Sequence, residues 1–259
     1  KRAYLFLLFF GLLFFLPGLS SLPSTDRDES RFAQASKQML ETGNYVDIRF
    51  QEVPRYKKPI GIYWLQAAAV KVAGQPLEVV WPYRIPSILG ALATVLLTCF
   101  FGRRFFNRRV GLLAGVLVAS CLLLGVEARL AKTDAVLLAT ITAMQGLLGL
   151  LYLERHERLK GRWPLVLLFW LACGAGVLIK GPLPPVIALA TILTLAVVDR
   201  QLRLLRTIRP LVGLSILAAM VLPWFIAIQN ATGGEFMQKA IYEDFLPKLL
   251  AGQESHGAP

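Results

Sequence analysis

The chain has 259 residues, of which 56% are hydrophobic and only 17% are charged. Its apolar runs of about 16 residues or more approach the roughly 20 helical residues that a bilayer core of about 30 Å requires, so the composition excludes an ordinary soluble domain. The net charge of +12 does not indicate nucleic-acid binding, because the cations lie between apolar runs and form no basic stripe with interleaved aromatic residues.

Seven apolar runs are candidate membrane spans. In chain order they cover residues 3–19, 85–101, 110–126, 135–153, 163–179, 183–198 and 211–228. The first run follows Lys1 and Arg2 without a clear small-residue cleavage site, so we interpret it as a retained span and not as a signal peptide. Of the 28 Lys and Arg residues, 14 precede this run or lie in alternate loops thereafter. The positive-inside rule places those loops and the N-terminus in the cytoplasm.

The opposite face receives the long loop 20–84, the short turns near 127–134 and 180–182, and the segment 229–259. In a bacterium this face is periplasmic. The unusual charges of the chain converge there, so we expect a site on this face. The pattern predicts an all-α transmembrane module over 1–228 and a periplasmic segment over 229–259 that ends without a closing helix.

The loop 20–84 contains a first predicted helix. Asp26 or Asp28 is a typical N-cap residue, and Gly43 is a typical stop. The intervening apolar residues form one face, and they are Phe32, Ala35, Met39 and Leu40. An amphipathic helix of this kind suits the membrane interface.

A second predicted helix in the same loop follows Pro59 and ends at Gly74. Tyr63 and Trp64 are expected at headgroup depth, where aromatic side chains with a polar atom are enriched. We interpret this helix as partly interfacial as well.

Three acids open the first of these helices. A carboxylate of Asp28 or Glu29 near a helix N-terminus is stabilised in its charged form, and it can act as a general base or orient a sugar hydroxyl. The alternative is a plain N-cap in a solvated loop. Asp26 and Asp28 also form an Asp-x-Asp pair, which can hold a divalent cation on a phosphate. That tripeptide is very common, so we expect no metal and no other cofactor.

Isolated cations at the same face are candidate phosphate ligands. Lys57 and Lys58 precede Pro59, Arg84 opens the second span, and Lys180 stands alone between two apolar runs. A lysine at such a position can bind a phosphate as a point charge. It can equally extend its ammonium group toward the lipid headgroups.

The turn "EARLAKTDAVLL" places Asp134 at the mouth of the fourth span. An acid there is costly unless it is paired, and Arg129 or Lys132 is the expected partner. His256 is a lone histidine of the final segment, for which a structural role is commoner than a catalytic one.

Other motifs narrow the class of protein. Cys99, Cys121 and Cys173 lie in apolar runs without CxxC spacing, which favours buried small apolar residues over disulfides or a zinc site. The chain has no GxSxG nucleophile elbow, no P-loop and no GxGxxG fingerprint. These absences argue against ATP-driven transport and against the use of a cytosolic nucleotide sugar.

The loop sequence "DRDESRFAQASKQMLETGNYV", followed by "RYKKPIGIYWL", resembles the first periplasmic loop of the lipid A aminoarabinose transferases. That family belongs to the wider superfamily of protein O-mannosyltransferases with the GT-C fold. "RIPSILGAL", "KTDAVLL", "GVLIKGPL", "VLPWFIAI" and "QESHGAP" follow in the order of the family. The resemblance therefore covers essentially the whole chain.

The resemblance implies a GT-C-type multi-span helical bundle with interfacial helices in the first periplasmic loop. It also implies an inverting glycosyltransferase of the bacterial inner membrane, with a polyprenyl-phosphate-linked sugar as donor. The acceptor is a lipid A-like glycolipid, another glycan or a protein. The alternatives are a transporter or flippase of lipid-linked sugars and a non-catalytic scaffold. Ionisable groups on one face and the lack of an inverted repeat favour the enzyme.

The resemblance also assigns roles to residues. Asp28 matches the catalytic aspartate of the family, and Lys58 matches the lysine that contacts the donor phosphate. Asp134 matches a second acidic position near the site. Lys180 and His256 match further polar positions around the cavity. The departure of the polyprenyl phosphate requires a positive charge at the developing anion. Lys58, Arg84 or Lys180 can supply that charge. The remaining candidate site residues are Glu29 beside the catalytic position, together with Tyr56, Lys57 and Arg129.

Overall fold

The computed structural model describes residues 2–24, 26–153, 163–201 and 203–239. Within these ranges the chain forms twelve helices and one two-stranded antiparallel ribbon. In chain order these elements are α1 (Arg2–Phe15), α2 (Arg27–Thr42), β1 (Arg49–Phe50), β2 (Val53–Pro54), α3 (Gly61–Ala73), α4 (Trp81–Phe105), α5 (Arg108–Ala119), α6 (Leu122–Glu127), α7 (Asp134–Leu153), α8 (Trp163–Lys180), α9 (Leu183–Asp199), α10 (Arg203–Thr207), α11 (Pro210–Thr232) and α12 (Glu235–Lys239).

Four of the described helices, α4, α7, α8 and α11, are long and apolar enough to cross a membrane. Helices α1 and α9 are apolar but shorter. These six helices coincide with six of the seven predicted spans, and the all-α membrane architecture is confirmed. Helix α4 packs against α5 and α7, helix α7 against α8, and helix α8 against α9 and α11.

The predicted span 110–126 is wrong as a single helix. It consists of α5 and α6, which are separated at Ser120 and Cys121 because the backbone of Cys121 is extended, with ψ 119°. Cys121 is exposed at this break, against the expectation of burial, whereas Cys99 and Cys173 are buried as predicted. Apolar composition runs through the break unchanged, so the sequence carried no sign of it.

The cation-rich ends of the helices lie together. Arg103 near the end of α4 stacks on the ring of Tyr4 in α1 at 5.1 Å, and Arg209 before α11 stacks on Trp163 of α8 at 3.8 Å. The hydroxyl of Tyr152 at the end of α7 bonds to the carboxylate of Asp199 at the end of α9, at 3.0 Å. These contacts pair the helix ends as the predicted topology requires.

Helices α2 and α3 pack together at the other end of the bundle. Asp26 is the N-cap of α2, since its Oδ1 accepts hydrogen bonds from the backbone N–H groups of Asp28 at 2.7 Å and Glu29 at 3.3 Å. The helix ends at Gly43, whose φ of 70° suits a residue without a Cβ. Helix α3 ends before Gly74. Both predicted helices are therefore confirmed.

The apolar face of α2 packs inside the protein. Phe32, Ala35 and Met39 share a buried cluster with Tyr63 of α3 and Trp224 of α11. Tyr63 is fully buried, so protein and not lipid surrounds its side chain. Trp64 is partly exposed, and its indole N–H donates to the carbonyl of Tyr45 at 2.8 Å. Amphipathicity predicts a buried face, but it does not say whether lipid or protein covers that face.

Candidate functional site

Glu29 and Arg84 form a buried ion pair between α2 and α4. The Arg84 Nε donates to Glu29 Oε1 at 2.7 Å and its Nη2 to Oε2 at 3.2 Å, and both side chains are almost fully buried. The other three N–H groups of the guanidinium donate to backbone carbonyls, which are those of Leu19, Leu22 and Pro23 at 2.7, 2.9 and 3.3 Å. All five donors of the arginine are thus engaged.

This pair changes how two candidate residues are interpreted. Arg84 has no N–H left for a phosphate, so the structure does not support the predicted phosphate ligand. Glu29 has no exposed surface with which to meet a substrate. Together the two residues fix the segment between α1 and α2 to the start of α4, and these contacts indicate a structural role.

The turn between α6 and α7 is held by a buried polar network. Glu29 Oε1 accepts from the backbone N–H of Ala131 at 3.0 Å, and Gln66 of α3 donates to the carbonyl of the same residue at 3.0 Å. Ser36 of α2 donates in turn to Gln66 Oε1 at 2.6 Å, and Ser87 of α4 donates to the carbonyl of Leu130 at 2.6 Å. This turn leads directly into Asp134. The only sequence signals for the network were a glutamine in α3 and serines in α2 and α4.

Lys132 lies in that turn and reaches back to α2. Its Nζ is 3.0 Å from Asp26 Oδ2 and 3.6 Å from Glu127 Oε1. Partial burial raises the pKa of Asp26, but the hydrogen bonds from Lys132 and from the backbone of Asp28 lower it by more. Burial likewise lowers the pKa of Lys132, but the bond to Asp26 and the charge of Glu127 raise it overall. The ion pair is therefore charged at neutral pH.

The predicted Asp-x-Asp metal alternative concerns Asp26 and Asp28. Both oxygens of Asp26 are engaged, Oδ1 by the N-terminus of α2 and Oδ2 by Lys132. Within the described ranges, no group of three or more His, Cys, Asp or Glu residues is placed to hold a metal ion.

Asp134 at the start of α7 is paired with Lys180 at the end of α8. The Lys180 ammonium donates to Asp134 Oδ1, and both side chains are partly exposed. The predicted partners were Arg129 and Lys132, and this prediction is wrong. Arg129 instead donates to the carbonyls of Pro17 and Gly125, at 2.8 and 2.7 Å, and to that of Phe14. The pairing of two helix ends 46 residues apart could not be predicted from a single sequence.

Asp28 lies in the first turn of α2 with its side chain 48% exposed. Its Oδ1 is 3.6 Å from Arg31 Nη1 and 3.9 Å from Arg55 Nη2, which are ion-pair distances and not hydrogen bonds. No residue in the described part of the chain donates a hydrogen bond to this carboxylate. About half of the carboxylate side chain is thus exposed at this end of α2.

Lys58 is half-buried and Lys57 is exposed, in the segment that leads into α3. The first residue of this helix, Gly61, packs so closely on α8 that a Cβ atom there would lie 2.7 Å from the carbonyl oxygen of Leu178. The segment that carries Lys58 therefore approaches the end of α8 that carries Lys180.

Tyr56 precedes these lysines and anchors the loop. Its hydroxyl donates to Asp47 Oδ1 at 3.1 Å, and its ring packs on Phe236 with a centroid distance of 5.3 Å. Burial and the charge of Asp47 raise the pKa of Tyr56, so the phenol stays neutral. The remaining candidate, His256, lies outside the described residues, as does most of the predicted segment 229–259.

The model of the family described as dolichyl-phosphate-mannose-protein mannosyltransferase matches residues 57–226. The chain belongs to this family. Two relatives of this chain share one name, undecaprenyl phosphate-alpha-4-amino-4-deoxy-L-arabinose arabinosyl transferase. The one from Aeromonas salmonicida is 27% identical over 251 residues, which are 96% of this chain and 45% of the relative. The one from Pseudomonas aeruginosa is 31% identical over an alignment of 265 positions, which covers 98% of this chain and 45% of the relative.

The chain thus spans about half the length of the curated relatives that it matches. Among solved structures, it is similar to the crystal structure of ArnT from Cupriavidus metallidurans bound to undecaprenyl phosphate. The TM-score is 0.85 at 19% sequence identity, over 94% of this chain and 44% of ArnT. This likeness confirms the predicted GT-C-type helical bundle.

Several polar side chains of the chain lie at one end of the bundle. Asp26 and Asp28 open α2, and the turn before α7 brings Lys132 to Asp26 and leads into Asp134. The end of α8 contributes Lys180 to the same cluster. A half-exposed carboxylate such as that of Asp28 can orient a hydroxyl, and a partly exposed ammonium group such as that of Lys180 can stabilise an oxyanion.

Proposed function

We propose that this chain is the part of a membrane glycosyltransferase that transfers a sugar from a polyprenyl-phosphate donor, with inversion. The observation that supports this function best is the half-exposed Asp28 carboxylate, to which no described residue donates a hydrogen bond. It lies at the end of the bundle that also carries the Asp134–Lys180 pair. Family membership and the names of the arabinosyl transferase relatives support the donor class.

The chemistry follows from the charges at this end of the bundle. In an inverting displacement, an acceptor oxygen attacks the anomeric carbon on the face opposite the phosphate. The bond from that carbon to the phosphate oxygen breaks, and its electron pair remains on the departing polyprenyl phosphate. Lys58 and Lys180 are the cations proposed to stabilise this developing anion. Arg84 is not included, since its five donors are already engaged.

Lys180 has a partner that can release it. The ammonium is paired with Asp134, and both side chains are partly exposed. An arriving phosphate competes with the carboxylate for the ammonium, because phosphate oxygens are strong acceptors for a lysine. Asp134 thereby holds Lys180 at the mouth of the bundle until the donor is bound.

The role of Asp28 depends on the acceptor. If the acceptor is a hydroxyl of a glycan or a protein, Asp28 acts as the general base that removes its proton. If the acceptor is a phosphate of a lipid A-like glycolipid, no proton needs to be removed, and Asp28 orients the reacting groups. Divalent cations have no part in this scheme, and chelation with EDTA is expected to leave turnover unchanged.

The proposed location is the bacterial inner membrane, with the polar cluster on the periplasmic side and the N-terminus in the cytoplasm. The support is the charge distribution, since the opposite end of the bundle carries stacked arginines such as Arg103 and Arg209. Cysteine accessibility in intact cells tests the orientation. A cysteine placed at exposed Lys57 is expected to react with a membrane-impermeant maleimide, and one at Arg104 is not.

The experiment that tests the function combines a deletion strain with the purified full-length protein. Mass spectrometry of lipid A, glycans and proteins is expected to show one sugar missing from one acceptor class in the deletion strain. The reconstituted full-length protein is then expected to transfer that sugar from its undecaprenyl-phosphate form. A normal acceptor inventory, or donor movement across the bilayer without any glycosyl bond formed, would exclude a transferase.

A further inference from the structure

Arg55 is a buried cation with incomplete hydrogen bonding. Its side chain is only 9% exposed, its guanidinium lies 5.1 Å from the centre of the Phe32 ring, and its backbone N–H donates to Ile48 at 2.8 Å. Within the described part of the chain, its Nε has no hydrogen-bond partner. Buried donors are normally paired, and unpaired ones concentrate where a protein uses them.

The counter-charge of Arg55 is Asp28. The two side chains are 3.9 Å apart, and among the described acids no other carboxylate lies within 4.0 Å of the guanidinium. The hydroxyl of Tyr63, whose ring also packs on Phe32 at 5.6 Å, is buried and has no hydrogen-bond partner within the described ranges. Burial raises the pKa of Tyr63 to about 12, although the neighbouring Arg55 guanidinium acts in the opposite direction, so the phenol stays neutral and adds no compensating charge.

Arg31 approaches the same oxygen of Asp28, at 3.6 Å, but from a different setting. It belongs to α2 itself, and its side chain is 29% exposed, so solvent screens its charge and its rotamers remain accessible. Arg55 is held by burial, by the Phe32 ring and by the ribbon β1–β2. Of the two arginines, Arg55 is therefore the one with a fixed position relative to Asp28.

We propose that Arg55 is a positioning residue for Asp28. Its immobile charge draws the carboxylate toward one orientation, while no hydrogen bond from the described residues occupies the carboxylate oxygens. Such an arrangement supplies preorganisation, at the cost of a buried cation that is poorly compensated. The inference rests on the proposed function, since it concerns the residue that carries the chemistry there.

The stability of the variant separates positioning from a purely structural role. Replacing a poorly compensated buried charge by an apolar side chain of similar length is often neutral or stabilising. In the full-length protein, Arg55→Met is therefore expected to keep or raise the melting temperature while kcat falls at least about tenfold. The KM for the donor is expected to stay within about twofold, because Arg55 acts through Asp28 and not on the phosphate.

Three comparisons complete the experiment. Arg55→Lys, which keeps the charge without the planar fork, is expected to recover part of the lost kcat. Arg31→Met is expected to lower kcat less than about threefold, because its charge is screened. Arg49→Met changes an exposed arginine of the same ribbon and is expected to match the wild type.

Two results would overturn the proposal. One is an Arg55→Met protein whose kcat is within twofold of the wild type, and the other is a loss of kcat together with a clear fall in melting temperature. A wild-type protein that transfers no sugar from any polyprenyl-phosphate donor would contradict the proposed function itself. That failure is visible before any variant is compared.

Discussion

Arg84 and Glu29 are 55 residues apart in sequence, and they meet through two hydrogen bonds of 2.7 and 3.2 Å in a site that excludes solvent. The pair ties the first turn of α2 to the start of α4. The same glutamate holds the Ala131 peptide, so the acid beside Asp28 also fixes the turn that leads to Asp134. This contact is therefore one of those that hold the frame around the candidate site.

Loss of this pair is expected to cost stability first. Glu29→Gln leaves the buried guanidinium without a carboxylate, for which about 3–5 kcal/mol of destabilisation is typical. We expect a clearly lower melting temperature of the purified protein in detergent, and turnover should fall only in proportion to the folded fraction. A Glu29→Gln protein with a wild-type melting temperature and no turnover would instead make Glu29 catalytic.

The Asp26–Lys132 contact predicts a pH-dependent stability. The pKa of Asp26 is lowered in the fold, so its stabilisation is present above the unfolded value of about 3.9 and is lost as the pH falls through the folded value. The pKa of Lys132 is raised, so its stabilisation is present below the unfolded value of about 10.4 and is lost as the pH rises through the folded value. The ion pair therefore stabilises the fold between these limits.

Two variants of Asp26 separate its charge from its capping role. Asn is as good an N-cap as Asp, so Asp26→Asn removes only the charge, whereas Asp26→Ala also removes the cap and costs about 1 kcal/mol more. We expect the melting-temperature gap between the wild type and Asp26→Asn to be widest between about pH 5 and 9 and to close under acid conditions. A gap independent of pH would show that the ion pair does not stabilise the fold.

The Asp134–Lys180 pair can be tested by charge reversal. Asp134→Lys alone brings two cations together and is expected to lower the melting temperature, and adding Lys180→Asp is expected to restore much of it. The double variant should nevertheless transfer sugar at about a hundredth of the wild-type rate or less, because the ammonium has moved away from the phosphate. A double variant no more stable than Asp134→Lys would refute the contact as a source of stability.

Gly61 sets how closely the Lys58 segment approaches α8. A Cβ at this position would lie 2.7 Å from a backbone oxygen, so Gly61→Ala must displace one helix and is expected to cost about 1–3 kcal/mol. The KM for the donor should rise, because Lys58 and Lys180 move apart. Gly125→Ala is the control, since the nearest atom to its Cβ is 3.6 Å away in a flexible side chain. Equal behaviour of the two variants would argue against close packing as the constraint.

The sequence predicted local structure correctly where a residue type has a narrow structural preference, as for helix caps, helix ends and apolar spans. The sequence predicted an N-cap at Asp26 or Asp28, the end of the helix at Gly43 and the apolar runs of α4, α7, α8 and α11. The resemblance to the family predicted the fold, because several motifs occur in the same order along this chain as in the family. The helix break at Cys121 was not readable, since a change of backbone direction within an apolar run leaves composition unchanged.

Long-range pairing explains most of the remaining differences. Several cations were available to Asp134, and only the packed helices show that Lys180 is its partner. Arg84 and Glu29 are residue types suited to a functional site, but in the fold they form a buried ion pair with each other. Arg55 was missed because a lone arginine in a loop carries no signal until its burial is known. Of the site predictions, the roles of Asp28 and Lys58 stay predictions.

The most direct test of the central claim is sugar transfer by Asp28→Asn in the full-length protein, measured with the undecaprenyl-phosphate donor and acceptor that the deletion strain identifies. Asparagine keeps the shape of the side chain and removes its charge. The account predicts a wild-type melting temperature and unchanged donor binding, with a transfer rate lower by at least about a hundredfold, as for loss of a group that acts on the transition state. Transfer at the wild-type rate would contradict it.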